Sequence, residues 1–165
     1  MATHIVKAGE TLNTIALDYR RTLQHLIQVN SITNPNLIYP GQQIKIPNLT
    51  PKELIPYSIE VSINNRTLHL KKDGLLLRTY PIAVGRILFG TPVGDYVIVN
   101  RAPNPGGPFG ALWMSLSKLS YGIHGTNDPS SIGKAVSKGC IRMFNQDVIH
   151  LASIVPNGTA VSIRY

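Results

Sequence analysis

A single cysteine, Cys140, stands in the 165 residues, and its isolation excludes an internal disulfide framework. Long apolar runs are missing as well: no stretch approaches the ~18 consecutive apolar residues of a membrane-spanning helix. The start, Met1 to Ala8, lacks the basic-then-apolar pattern of a secretory signal, so export by the usual route finds no support. Acidic residues are few. Eight Asp plus Glu face sixteen Lys plus Arg, and the resulting net charge of +8 favours an anionic partner. The charge is spread evenly, with four basic and two acidic side chains in residues 1–48 and twelve and six in residues 49–165. No basic stripe interleaved with aromatics forms, which argues against nucleic acid. An anionic wall polymer would be drawn by the same charge. What is plentiful is apolar content, 43%, enough for one average domain or two small ones with packed cores.

Residues 1–48 read as a self-contained unit. A short strand around His4 to Lys7 leads through a turn at Gly9 into two helical stretches and a closing strand at Gln43 to Pro47. Thr11 is placed to cap the first helix, on which Leu12, Ile15, Ala16 and Tyr19 follow at i, i+3, i+4 and i+7. Leu23, Leu26 and Ile27 supply a second apolar set. Asn34-Pro35 and Tyr39-Pro40-Gly41 supply the turns before the last strand. In order along the chain, Val6, Gly9-Glu10-Thr11-Leu12, Ile15-Ala16, Asn30, Asn34-Pro35, Leu37-Ile38, Pro40-Gly41-Gln42 and Ile46-Pro47 resemble the LysM module. That resemblance implies an α+β unit of βααβ order that binds N-acetylglucosamine-containing glycan between the loop after the first strand and the loop before the last. Glu10, Thr11, Leu12, Ile38 and Tyr39 are the candidate glycan contacts, although Leu12 also fits a core position.

Residues 49–55, with prolines at 47, 51 and 56 around a polar stretch, read as a short stiff linker. Residues 56–165 read as mainly β. Strands are predicted at Ser58 to Ile63, Thr67 to Leu70, Leu75 to Val84, Tyr96 to Asn100, Trp113 to Leu116 and Val161 to Arg164, with turns at Asn64-Asn65 and Lys72-Asp73-Gly74. One helix is predicted, Asn145 to Val155, capped by Asn145 and ended by Pro156-Asn157-Gly158. Short strands with Gly/Pro turns and one main helix point to a β-sandwich-like architecture, with a barrel-like one as the other form. Cys140 and His124 fall late, in loops between strands.

Free cysteine is often a small buried hydrophobe, but Cys140 sits in Ser137-Lys138-Gly139-Cys140-Ile141-Arg142, between charges that are costly to bury unpaired. A thiol ionises only to a few per cent at pH 7, so a nucleophilic reading needs a partner. His124, sixteen residues upstream, could form a thiolate–imidazolium pair and then protonate a departing amine, with Lys138 or Arg142 adding a weaker field. The Gly139-Cys140 amides could face a developing oxyanion, and Arg142 has a fork suited to a carboxylate.

His124-Gly125-Thr126 followed by Ser137, Gly139, Cys140 and Arg142 resembles the L,D-transpeptidase (YkuD) family. So do Pro81 to Gly85, Thr91 to Gly94, Asn104 to Gly110 and Tyr121 to Ile123. Val93 departs from it, standing where Thr is common. The resemblance implies acyl transfer on peptidoglycan stem peptides without a metal or cofactor. Cys140 would form a thioester at the third residue with loss of D-alanine, and an amine from another stem would resolve it into a 3-3 crosslink. His124 would act as base and then acid, the Gly125 carbonyl as its partner, and Arg142 in positioning. Ser137, Tyr121 and Trp113 are candidate substrate contacts.

Two other readings compete. The same thioester could pass to water, making the protein an L,D-carboxypeptidase or endopeptidase, or the motif could be a relic in a non-catalytic wall- or spore-binding protein. The NlpC/P60 peptidases carry the cysteine before the histidine, and sortases lack this spacing. A monomer acting at the cell wall or spore wall is expected. Release from a lysing mother cell onto a spore would reconcile an external substrate with the missing signal.

Overall fold

The computed structural model describes residues 1–86 and 90–165. Strand β1 (Ala2–Ile5), helices α1 (Leu12–Asp18) and α2 (Leu23–Val29) and strand β2 (Gln43–Ile46) form the N-terminal module, with β1 and β2 antiparallel. Thr11 caps α1. Its hydroxyl accepts from the Thr14 N–H, and Thr14 Oγ1 accepts in return from the Thr11 N–H. The predicted apolar face is the one that packs: Leu12, Ile15, Ala16 and Tyr19 are buried with Leu26, Ile44 and Ile46.

The rest of the chain forms β3 (Tyr57–Ser62), β4 (Thr67–Lys72), β5 (Leu75–Gly85), β6 (Gly94–Pro103), β7 (Leu112–Leu116), β8 (Gly122–His124), β9 (Ala135–Ser137), β10 (Ile141–Met143), α3 (Asn145–Ile154) and β11 (Ala160–Arg164). Hydrogen-bonded neighbours run β10-β8-β7-β6-β11-β3-β4-β5, and β5 pairs back to β10. The architecture is therefore a closed barrel, not the expected sandwich. Closure depends on the length of β5: residues Leu75 to Pro81 pair with β4, and Ile82 and Ala83 then pair with Met143 and Arg142 of β10. Alternation along the strands sends Ile59, Val61, Leu68, Leu70, Tyr80, Ile82, Ile98, Met114, Ile123, Ile141, Met143, Val161 and Ile163 into one buried cluster, which α3 enters with Val148 and Leu151.

Asn145 does not cap α3. Phe144 holds the cap position, and the Asn145 Oδ1 instead accepts from the backbone N–H of Ala111 and of Thr126, 3.0 Å each. A cap satisfies a donor of its own helix; here two donors from distant loops claim the same oxygen.

Ordinary alternation along β6 buries consecutive residues on opposite sides of the strand. Ile98 enters the barrel, whereas Val99 joins the core of the N-terminal module, with Val97 packed beside it. Leu49 is buried in that same core, and its carbonyl accepts from the Ala2 N–H at 2.8 Å. The connecting segment is thus packed against structure at its start, and then forms a single 3₁₀ turn at Lys52–Leu54.

The shared core predicts coupled unfolding. Leu26→Ala, wholly within the N-terminal module, should cost about 2–5 kcal/mol. The melting temperature reported by fluorescence of Trp113, the only tryptophan and a barrel residue, should fall by several degrees in step with circular dichroism. An unmoved Trp113 transition would show that the modules unfold independently.

Candidate active site

Paired residues in a sheet direct their side chains to the same side, and successive residues alternate. In the parallel β8–β10 ladder Ile123 lies opposite Ile141 and His124 opposite Arg142. The isoleucines enter the barrel core, so His124 and Arg142 stand on its outer side, and the same alternation puts Gly122 and Cys140 there. Strand β7 adds Trp113 opposite His124 and Ser115 opposite Gly122, and β5 adds Ala83 opposite Arg142. The motif residues thus meet across the adjacent strands β8 and β10, flanked by β7 and β5.

His124 is only 3% exposed. Its Nδ1 lies 2.5 Å from the Gly125 carbonyl oxygen. A carbonyl can only accept, so the ring proton sits on Nδ1, and Nε2 carries the free lone pair. Trp113 stacks on the imidazole with centroids 5.3 Å apart and planes 9° from parallel, and Phe109 meets both rings edge-on at 5.3 Å. The indole N–H donates to Ser115 Oγ at 2.8 Å. Glycine at 122 is needed for this stack, because a Cβ there would come within 2.6 Å of the Trp113 ring.

Burial pushes the His124 pKa down to about 4; the Gly125 carbonyl works against this and Arg142 adds to it. Burial likewise pushes the Cys140 thiol up, against a backbone hydrogen bond from Gly122 and the field of Arg142. Both directions describe a resting neutral thiol and neutral imidazole. The ion pair suggested by the residue types alone is disfavoured, because desolvation outweighs the nearby positive charge.

The loop entering Cys140 is tied by Ser137. Its hydroxyl donates to the Cys140 carbonyl at 2.7 Å and accepts from the Gly139 N–H at 3.2 Å, and the residue is buried. Gly139 has φ +113, a conformation that favours glycine. Its N–H is therefore engaged inside the loop instead of facing outward. Arg142 Nη1 donates to Ser131 Oγ at 2.9 Å, while its Nε is buried without a partner among the described residues. Tyr121 lies half-buried on the turn before β8, with Lys118 Nζ 5.7 Å from its ring centre.

Four contributors were not singled out by sequence reasoning. Phe109 lies in the glycine-rich stretch 104–110 with no periodicity to mark it. Asn145 and Ser131 act through contacts remote in sequence. Ser120, whose carbonyl accepts from the Cys140 thiol at 3.7 Å, contributes only backbone.

In the N-terminal module Leu12 is buried in the core, and Ile38 packs against that core while staying partly exposed. Glu10 Oε1 is engaged by His4 Nε2 at 2.9 Å and the Lys7 N–H at 2.7 Å. Thr11 is exposed, with its hydroxyl in the cap, and Tyr39 is 65% exposed. Among the described residues no three His, Cys, Asp or Glu side chains gather as a metal would require, and no helix is long and apolar enough to cross a membrane.

YkuD of Bacillus licheniformis is 62% identical over 163 residues and YkuD of Bacillus subtilis 59% identical over 164, each match covering 99% of both chains. Among solved structures, an L,D-transpeptidase from Mycobacterium smegmatis superposes with a TM-score of 0.60 at 20% identity. That match covers 67% of this chain and 59% of the solved one, and it shows the shared fold. The LysM domain model matches residues 4–47 and the YkuD model, the L,D-transpeptidase catalytic domain, matches residues 56–163. The chain belongs to the YkuD family of L,D-transpeptidase catalytic domains, with a LysM domain preceding the barrel.

Proposed function

We propose that the protein is a peptidoglycan L,D-transpeptidase that forms 3-3 crosslinks through a thioester on Cys140. The observation that carries this reading is the tautomer of His124. With Nδ1–H held by the Gly125 carbonyl, Nε2 is left as a base on the face that bears Cys140. Nε2 takes the thiol proton as sulfur attacks the carbonyl of the third stem residue, and the imidazolium returns that proton to the departing D-alanine amine. A side-chain amine of a second stem then attacks the thioester, loses its proton to His124, and regenerates the thiol. Gly139 shapes the loop that presents Cys140. Since the Gly139 N–H is engaged by Ser137, stabilisation of the oxyanion falls to the Cys140 amide. Arg142, with an unpartnered Nε, positions a substrate carboxylate or the loop. Trp113 supports the imidazole, Tyr121 borders the substrate and Ser137 acts through the loop.

Residues 1–48 are read as the glycan-binding module, 49–55 as the connector and 56–165 as the catalytic domain. Binding of N-acetylglucosamine glycan beside Thr11 and Tyr39, with Glu10, Leu12 and Ile38 shaping the groove, would hold the barrel on its polymer and raise the local stem concentration. On this reading the protein acts as a monomer at the cell wall or spore wall.

Intact-protein mass spectrometry after mixing with a defined tetrapeptide stem should show a covalent adduct formed with loss of D-alanine, converted to crosslinked peptide only when an acceptor amine is present. Cys140→Ala should abolish both. Crosslinks formed by that variant would overturn the assignment, and release by water alone in the presence of the amine would identify a hydrolase instead.

The acid limb of the acylation rate should lie low. His124 acts as base only when neutral, so activity should persist as pH falls through the ordinary histidine value of 6.5 and be lost near pH 4. An acid limb between pH 6 and 7 would show that the imidazole is not desolvated in the working enzyme.

A further inference from the structure

Among the described residues the Cys140 thiol donates to the Ser120 carbonyl, 3.7 Å away. Ser120 lies on the turn between β7 and β8 at φ +70, a left-handed conformation that a serine adopts only where its surroundings impose it. Part of that imposition is local: the Leu116 N–H donates to the Tyr121 carbonyl and the Tyr121 N–H to the Lys118 carbonyl. The rest comes from the other module. Arg20, just beyond α1, spreads its guanidinium over three carbonyls of this turn, reaching Leu116 O at 2.7 Å, Lys118 O at 3.2 Å and Tyr121 O at 3.3 Å. Asp18 Oδ1 accepts from the Leu119 N–H at 2.9 Å. Arg20 itself has φ +53, and its guanidinium also donates to the Asp18 carbonyl, so clamp and turn are both conformationally specified.

The geometry points to Asp18 and Arg20 of the LysM domain as positioning residues for Cys140, clamping the 117–121 turn so that the Ser120 carbonyl holds the thiol proton in place. An acceptor on S–H favours the neutral form, and a carbonyl dipole pointing its oxygen at sulfur opposes the thiolate. The clamp therefore keeps the nucleophile in reserve until substrate or a movement of the turn displaces that carbonyl. The charged and titratable groups on the elements around Cys140 are His124 on β8, Arg142 on β10, Lys138 in the preceding loop, and Lys118 and Tyr121 on the turn. Changes at Asp18 or Arg20 remove none of these groups, and only Lys118 and Tyr121 ride on the clamped turn. The inference rests on Cys140 being the nucleophile.

Because Cys140 is the only cysteine, alkylation of the full-length protein by iodoacetamide reads this thiol alone. Arg20→Ala and Asp18→Ala should each raise the alkylation rate at neutral pH several-fold and move the midpoint of its pH dependence downward. Asp18→Asn, which keeps an oxygen for the Leu119 N–H, should behave as the unaltered protein. Should Arg20→Ala fail to fold, as judged by the loss of a cooperative melt, Asp18→Ala carries the test. Rates and midpoints in the alanine variants that overlay the unaltered protein, or slower alkylation, would overturn the inference. Alkylation needs no turnover, so this failure is distinguishable from failure of the catalytic assignment, which is read from crosslinking by Cys140→Ala.

Discussion

Strand β10 is three residues long and hydrogen-bonded on both sides, parallel to β8 and antiparallel to β5. Closing the sheet at this point is the constraint on which the site depends. The parallel register sets Arg142 beside His124, and alternation puts Cys140, two residues before Arg142, on the same side as Gly122. The antiparallel register seals the barrel beneath them with Ile82 and Met143. A slip of one residue in β10 would turn Ile141 outward and drive Arg142 into a core of aliphatic side chains, at a cost of several kcal/mol for a buried unpaired charge. Barrel closure and alignment of His124, Cys140 and Arg142 are therefore one structural event.

The same economy appears around His124. Its tautomer is fixed by the carbonyl of the next residue, its ring plane by Trp113, and the loop beyond it by Asn145, whose amide oxygen receives the Thr126 and Ala111 N–H groups. None of these partners is an acid. An imidazole held in this way gains orientation without a nearby negative charge, which leaves desolvation to dominate its protonation and gives a base that stays neutral across the physiological range.

Much of this was legible in the residues. The i, i+3, i+4, i+7 set of α1 and the strands β3, β4 and β11 appear where expected because one face of each element is buried and the other is wetter. Three-residue strands were not legible: β8, β9 and β10 are too short for alternation to register, so His124 and Cys140 seemed to lie in loops, and without β10 the closed barrel could not be told from a sandwich. Asn145 looked like a cap because capping is a local tendency, whereas its two actual donors lie 19 and 34 residues away. Leu49 looked like linker because prolines surround it, yet its burial is decided by β1 and by Val99 across the module boundary. The pairing of residue types at 124 and 140 pointed to nucleophilic chemistry, but the protonation states depend on burial, which spacing does not encode.

The two-sided burial of β6 has a consequence for how such a barrel can be reused. By turning Val99 away from the barrel and into the neighbouring core, it gives the enzyme an apolar outer patch that only the N-terminal module covers. A barrel cut free at the connector would carry Val97 and Val99 to water as a sticky scar. Any descendant that exchanged its wall-binding module for another would have either to supply a new cover of matching shape or to replace those two valines with polar residues first.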